Sequence, residues 1–188
     1  EINGVLPQLE YIDYIFKNIN FNVKTENHII NTNINCSKLY VNKNIIFENA
    51  DVKSDIKNDS ILFTIGWDNL KDSAKNSGQL VGYMFFKTKS MLELSLAPSF
   101  FVINDSIWNV NEKNEIFIDT NSIKIVNLIL QSKNQKIIIN GTISENIKDK
   151  LLITFKDFNI SNIDPFLIKQ NVDIDGIING MVEIVDLY

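Results

Sequence analysis

The side chains that most often carry out chemistry in enzymes are sparse in this sequence. His28 is the only histidine and stands in the polar segment TENHII, where we expect a turn. A catalytic triad or a histidine metal site would need His28 with a Gly-flanked serine or with further histidines, and the sequence offers neither. Cys36 is the only cysteine, which excludes an intrachain disulfide and a metal site built on cysteines. We therefore interpret His28 as an exposed structural residue.

Carboxylate pairs are the remaining candidates for acid–base chemistry, since two carboxylates about 5–9 Å apart would suit a glycosidase. The acidic groups that the spacing offers are Glu10 with Asp13, Asp173 with Asp175, and the set Asp51, Asp55 and Asp59. Solvent-facing positions and turns explain all of them. A carbohydrate-active enzyme that uses Asp173 and Asp175 stays open as an alternative, but the sequence favours a protein that is not an enzyme.

The segment VDIDGIINGMVE has some features of a calcium loop. Its glycine comes at the fourth position, where an EF-hand loop needs glycine at the sixth, and Glu183 falls one residue early. We therefore predict no metal site here, and no cofactor elsewhere in the chain.

Composition bounds the class of protein. The chain has 188 residues, of which 45% are hydrophobic, and a formal net charge of -5 with lysine as its only basic residue besides the histidine. A protein of this length and apolar content can bury a core. The absence of arginine and the acidic balance argue against nucleic acid as a partner. No run approaches the ~20 apolar residues of a membrane helix.

Short apolar runs separated by Asn, Lys and Asp clusters predict a mainly β protein with about a dozen antiparallel strands. Pro98 predicts an edge or a bulge between two of them. In 122–132 the apolar set changes from odd to even positions, which predicts a bulge or a strong twist. The predicted strands are 21–23, 29–36, 39–41, 45–47, 61–67, 80–86, 91–97, 99–103, 107–110, 115–118, 122–132, 136–143, 151–158, 177–178 and 181–187.

Two short helices complete the predicted fold. Leu6, Leu9, Ile12, Ile15 and Phe16 have a spacing close to helical, and Pro7 stands where a first helical turn tolerates it. A second helix is expected from a cap at Ser161 through Asp164-Pro165 to 166–168.

The apolar strand faces are the remaining candidate for function. They fit either the core of a closed β-sandwich, serving as a scaffold or ligand-binding module, or an elongated sheet curled into a groove for acyl chains. Each buried CH₂ contributes about 0.8 kcal/mol, so an apolar groove holds a lipid tail firmly while letting it slide. The residues that we predict to line the groove are Phe63, Ile65, Trp67, Tyr83, Phe85, Leu92, Leu94, Leu96, Ile137, Ile139, Leu151, Ile153 and Phe155.

The order of motifs in the last hundred residues resembles the TamB branch of the AsmA-like envelope proteins. The matching elements cover 78–188 well and 1–77 more loosely. They are Asp105-x-x-Trp108 at a strand start, the strand from Ile123 to Ser132, Ile139-Asn140-Gly141, the long strand from Leu151 to Phe158, the helix from Asn159 to Phe166, and the Gly176-to-Gly180 turn.

This resemblance implies a repeating β-groove (a β-taco-like trough) in the periplasm of a Gram-negative bacterium, within a parent protein anchored in the inner membrane. It implies phospholipid transport between inner and outer membranes, outer-membrane protein assembly with a barrel partner of the parent protein, and no catalytic residues. We accordingly expect 1–188 to be one groove segment of a larger protein, with 1–77 and 78–188 as two repeat-like blocks.

Overall fold

A computed structural model describes residues 1–41, 45–69, 76–103, 105–164 and 174–185 as a single antiparallel sheet of fourteen strands. The mainly antiparallel β fold is thus confirmed. The strands are β1 (Ile2–Tyr11), β2 (Tyr14–Glu26), β3 (Ile29–Val41), β4 (Ile45–Lys57), β5 (Ser60–Asp68), β6 (Ser77–Phe86), β7 (Leu92–Leu96), β8 (Ser99–Ile103), β9 (Ser106–Val110), β10 (Glu115–Asp119), β11 (Ser122–Ser132), β12 (Gln135–Ser144), β13 (Leu151–Asn159) and β14 (Ile177–Ile184).

Each strand pairs with a neighbour along the chain, so the topology is a meander with one exception. The hydrogen-bonded order runs from β1 to β7, then to β10 and on to β14, while β8 pairs with β6 and β9, and β9 pairs with β11. Tight turns join the long strands. In the turn between β2 and β3, Asn27 and His28 have φ of 50° and 61°, as a two-residue hairpin turn requires.

The helix expected over 6–18 is wrong, because β1, a tight turn and β2 occupy this segment. The apolar residues that have helical spacing lie on the two sides of that turn, where Ile12 has φ of 54°. Leu9 pairs with Phe16, and Leu6 pairs with Ile19 beyond it. Cross-strand pairing therefore satisfies the spacing that would otherwise favour a helix face.

The second expected helix is also not found in the described residues. A 3₁₀ turn over Ile160–Ile163 follows β13, and Asn159, not Ser161, caps it by accepting a hydrogen bond from the Ser161 N–H at 3.0 Å. The rest of the expected helix, 165–168, lies outside the described residues.

Between β6 and β11 the sheet divides into two pairs of short strands. β7 with β10 and β8 with β9 are separated by Ala97-Pro98 on one side and by 111–114 on the other. At this break, a side chain makes the hydrogen bonds that a paired strand would otherwise make to the backbone. Asn114, which is buried, accepts from Leu96 N–H at 2.8 Å and donates to the Leu96 carbonyl at 2.9 Å. The break at Pro98 therefore leaves no gap in hydrogen bonding to Leu96.

Several long strands contain one residue in the left-handed region, which we call a crease residue. The crease residues are Asn18, Asn49, Asn127 and Asp157, with φ between 48° and 53°. At Asn127 the pairing with β12 shifts between Ile125 and Leu128, which confirms the irregularity predicted in 122–132.

The same sheet contains strands from both expected blocks, since β5 and β6 are antiparallel neighbours. Whether 1–77 and 78–188 are repeats stays a prediction.

Candidate functional site: an apolar sheet face

Cross-strand register divides the sheet into two faces, because directly opposed residues of an antiparallel pair point to the same side. One row of opposed residues runs from Val23 through Thr32, Ser54, Phe63 and Gly82 to Leu96. We call the side to which these residues point the apolar face, and the other side the outer face.

The apolar face extends across the sheet and contains no Asp, Glu or Lys at the register positions that define it. These are the even positions of 2–6, 30–36, 50–56, 78–84, 92–96 and 116–118, and the odd positions of 19–25, 61–67, 123–125, 137–143 and 151–155. A face of this extent without a charged side chain can bind hydrocarbon without desolvating an ion.

The outer face of β1 to β4 is polar. Opposed residues there include Asn22 with Asn33 and Asn33 with Lys53. Side chains bond across the strands, with Asn22 donating to Asn3 and Asn31 donating to Asp55 at 2.6 Å. This part of the sheet is therefore clearly amphipathic.

Three aromatic rings on the apolar face lie over glycines of a neighbouring strand. A Cβ added to Gly4 would lie 2.3 Å from the Phe21 ring, one at Gly82 would lie 2.2 Å from the Phe63 ring, and one at Gly78 would lie 2.3 Å from the Trp67 ring. Each pair is also directly opposed in the register. Each ring thus packs in the space that a side chain at the opposed glycine would otherwise fill.

The sheet curves toward the apolar face in its second half. Trp108 belongs to this face, since it is opposed to Phe101, which is opposed to Gly78. Its ring lies 5.9 Å from that of Phe158, although β11 and β12 separate their strands. Three strand spacings of about 4.8 Å would keep them more than 14 Å apart in a flat sheet. The sheet must therefore bend between β9 and β13 to bring these rings together.

A crease residue keeps apolar residues on this face on both sides of the bend. Ala50 and Val52 point to the apolar face at even positions, and beyond Asn49 the odd-numbered Phe47 reaches the same side. The Phe47 ring packs edge-on against Trp67 with centroids 5.6 Å apart and planes at 88°. At the left-handed residue, the apolar side chains therefore change from even to odd positions, and they still point to the same face.

Most residues expected to line a groove share the apolar face. Those on it are Phe63, Ile65, Trp67, Leu92, Leu94, Leu96, Ile137, Ile139, Leu151, Ile153 and Phe155. Tyr83 and Phe85 lie on the outer face, where they oppose Leu62 and Ser60 and are 45% and 37% exposed. They are not brought together with the others. That the apolar face lines a groove stays a prediction.

Sequence reasoning missed the part of this face in β1 to β4, and Trp108. The signal for β3 was present, because Ile30, Thr32, Ile34 and Cys36 alternate strictly with asparagines. Trp108 is 2% exposed and is the largest fully buried side chain among the described residues. Its position in the short segment 107–110 gave too little alternation to assign a face.

The candidate catalytic residues that the structure describes are not assembled into a site. His28 is exposed in its turn, and Glu10 lies in β1 and Asp13 in the turn that follows it, so the two do not share a helix. Asp51 and Asp55 belong to the outer face, Asp59 to a turn and Asp175 to an exposed segment, while Asp173 lies outside the described residues. Among the described residues no three His, Cys, Asp or Glu side chains converge as a metal site.

Two acids among the described residues have a lowered pKa, Glu1 at an exposed position and Asp119 at a half-buried one. Hydrogen bonds from Asn22 and then Asn3 lower the pKa of Glu1, and a hydrogen bond from the Thr120 N–H lowers that of Asp119. Neither lies in a cleft where a perturbed carboxyl would indicate catalysis.

Within the described parts of the chain, no helix is long and apolar enough to span a membrane. Comparison with protein-family models, with curated proteins and with solved structures finds no match for this chain.

Proposed function

We propose that this chain is a non-enzymatic segment of a TamB-like envelope protein whose apolar face forms an open groove that shields phospholipid acyl chains. The observation that carries the proposal is the uncharged apolar face, which continues from β1 to β13 without an Asp, Glu or Lys at its defining positions. Hydrocarbon binds such a surface with about 25 cal/mol for each Å² of apolar area removed from water. Because most of this surface offers hydrocarbon no polar anchor, an acyl chain can slide along it.

Partial burial supports an open groove over a closed sandwich. All ten residues of β12, in the middle of the second half, are half-buried on both faces. In a closed sandwich the inward residues of a central strand would be fully buried. The fully buried apolar side chains among the described residues are only Ile19, Cys36, Phe63, Trp108, Val110, Leu151 and Phe158.

The surface area points the same way. The protein exposes 12292 Å², whereas a compact monomer of this mass exposes about 9,200 Å². An open, elongated sheet accounts for the excess. The closed β-sandwich scaffold or ligand-binding module remains the alternative, and its signature would be apolar-face residues shielded from added lipid.

The envelope setting rests on the sequence resemblance. By this proposal the segment lies in the periplasm of a Gram-negative bacterium, within a parent protein that is anchored in the inner membrane and works with an outer-membrane barrel partner. Its ligands would be phospholipids in transit between the two membranes, or its role would lie in outer-membrane protein assembly.

A pair of photo-crosslinking variants tests the groove. A benzophenone side chain in place of Ile153 on the apolar face should capture phospholipid from vesicles of phosphatidylethanolamine and phosphatidylglycerol. The same group in place of Tyr83, which is exposed on the outer face, should not. Because Tyr83 is the more exposed site, capture cannot follow from accessibility alone. Equal capture at the two positions would contradict the groove, and native mass spectrometry would identify the captured or co-purified lipid.

A further inference from the structure

Two hydroxyl groups lie side by side on the otherwise apolar face. Thr32 of β3 and Ser54 of β4 are directly opposed, and their Oγ1 and Oγ atoms are 2.6 Å apart. Both residues are half-buried, so the pair is covered by neighbours but still reached from the apolar side.

The surroundings of this pair are apolar. Val23 and Phe63 flank it in the same row of opposed residues. In the next rows lie Ile34 opposed to Val52 on one side and Ile30 opposed to Ile56 on the other. Thr32 and Ser54 thus form a small polar spot within hydrocarbon surface.

The pair has hydrogen-bonding capacity left over. Two hydroxyls bring two hydrogens, and the mutual bond uses one of them. In the described part of the chain the structure gives neither hydroxyl a second partner. One O–H donor is therefore available to a ligand that lies on this face.

We propose that Thr32 and Ser54 form a neutral donor site for the ester carbonyl oxygen of an acyl lipid bound on the apolar face. This inference rests on the proposed function and adds to it a point at which the lipid's glycerol-ester region is held. An ester oxygen fits because it accepts a hydrogen bond without carrying charge. A fatty-acid carboxylate fits poorly, since no lysine stands at the described positions that define this face and none there offsets the desolvation of the charge.

Two lipids that differ only in their linkage give the test. Binding of short-chain phosphatidylcholines of equal chain length, one ester-linked and one ether-linked, would be measured by titration calorimetry on the wild-type chain and on Thr32→Val/Ser54→Ala. The ether lipid lacks the carbonyl acceptor but is also more apolar, so the double variant supplies the reference ratio. We expect the ester-to-ether affinity ratio to be two- to ten-fold (about one hydrogen bond) higher in the wild type.

A control hydroxyl is available on the other face. Thr64 of β5 is also half-buried but is opposed to Lys53 on the outer face, so Thr64→Val should leave the wild-type ratio unchanged. Valine keeps the shape and the β-branch of threonine, and the single change Ser54→Ala serves if the double variant fails to fold.

Each outcome decides a different claim. Equal ratios in the wild type and the double variant would overturn the donor site and leave the groove intact, with the hydroxyl pair acting only as a cross-strand contact. Failure of the wild type to bind either lipid would overturn the proposed function itself. A fatty acid with an acyl chain of the same length as those of the ester lipid, if it bound more tightly than that lipid, would replace the ester carbonyl by a carboxylate as ligand and so contradict the proposal.

Discussion

The side-chain oxygen of Asn140 in β12 accepts a hydrogen bond from the backbone N–H of Asn127 in β11 at 2.6 Å. Asn127 is a crease residue, and its N–H is taken out of regular strand pairing by the bulge there. The same arrangement recurs between β13 and β14, where Asn179 of β14 accepts from the N–H of the crease residue Asp157 at 2.8 Å. An asparagine on the following strand thus satisfies the backbone group that each bend releases.

Removal of this acceptor should destabilise the sheet. Asn140→Ala leaves the part-buried N–H of Asn127 unsatisfied, and we expect the free energy of unfolding to fall by about 1–2 kcal/mol. Asn140→Asp retains an acceptor oxygen at neutral pH and should cost less. Urea unfolding of both variants measures these free energies. If the two variants lose equal stability, the Asn140 side chain does not contribute through its acceptor oxygen.

Glycines beneath aromatic rings should be sensitive to a single methyl group. Gly82→Ala would place a Cβ 2.2 Å from the ring of Phe63, which is only 7% exposed, whereas a Cβ added to Gly180 would have no atom within 4 Å. We expect Gly82→Ala to lower stability by about 1–3 kcal/mol through overpacking. Gly180→Ala is the matched control and should change stability little. A loss at Gly180 equal to that at Gly82 would refute the role of the ring.

Gly141 has a positive φ and also lies close to the backbone of a neighbouring strand segment. Its φ is 123°, and an added Cβ would lie 2.0 Å from the Lys150 carbonyl oxygen. Gly176 has a similar φ of 137° with open space around it. Gly176→Ala therefore measures the backbone strain alone, about 1–3 kcal/mol, and Gly141→Ala should cost clearly more. Thermal unfolding of the two variants separates the terms, and equal costs would mean that the Lys150 carbonyl moves aside freely.

The carboxyl of Asp119 should make stability depend on pH in the acid range. Its Oδ1 accepts from the Thr120 N–H at 2.7 Å, and that bond holds its pKa below the ordinary value. A lowered folded-state pKa means that the stabilisation is fully present above about pH 4, the ordinary range of Asp, and is lost as the pH falls through the folded-state pKa. The stability difference between wild type and Asp119→Asn should shrink over that window. A difference that stays constant down to about pH 2 would contradict this assignment.

Alternation predicted much of this fold because β-strands repeat every two residues. The polar–apolar alternation of 29–36 and the change of parity near Asn127 both appear in the structure as β3 and as the bulge in β11. The helix over 6–18 failed because spacing of three also arises between residues on two arms of a hairpin, as with Leu6, Leu9, Ile15 and Phe16.

The candidate site was harder to predict where a strand is apolar on both sides. Residues 80–86 contain apolar side chains at odd and even positions, so the sequence could not tell whether Tyr83 and Phe85 share a face with Phe63. The pairing of Phe63 with Gly82 decides which residues of 80–86 share a face with Phe63. A polar segment separates β5 from β6 in the sequence, so the sequence does not reveal this register. Thr32 and Ser54 were missed for a related reason, since their hydroxyl pairing depends on the register between β3 and β4.

The crease residues bear on how such a sheet can change length during evolution. An insertion of one residue in a regular strand would turn every following side chain to the opposite side and place charges such as Lys53 among the hydrocarbon. A left-handed residue with an asparagine acceptor beside it offers a place where an odd number of residues is absorbed without that reversal. Insertions and deletions of odd length should therefore be tolerated at the tight turns and beside Asn127 and Asp157, where the pairing register shifts, and be rarer elsewhere in the strands.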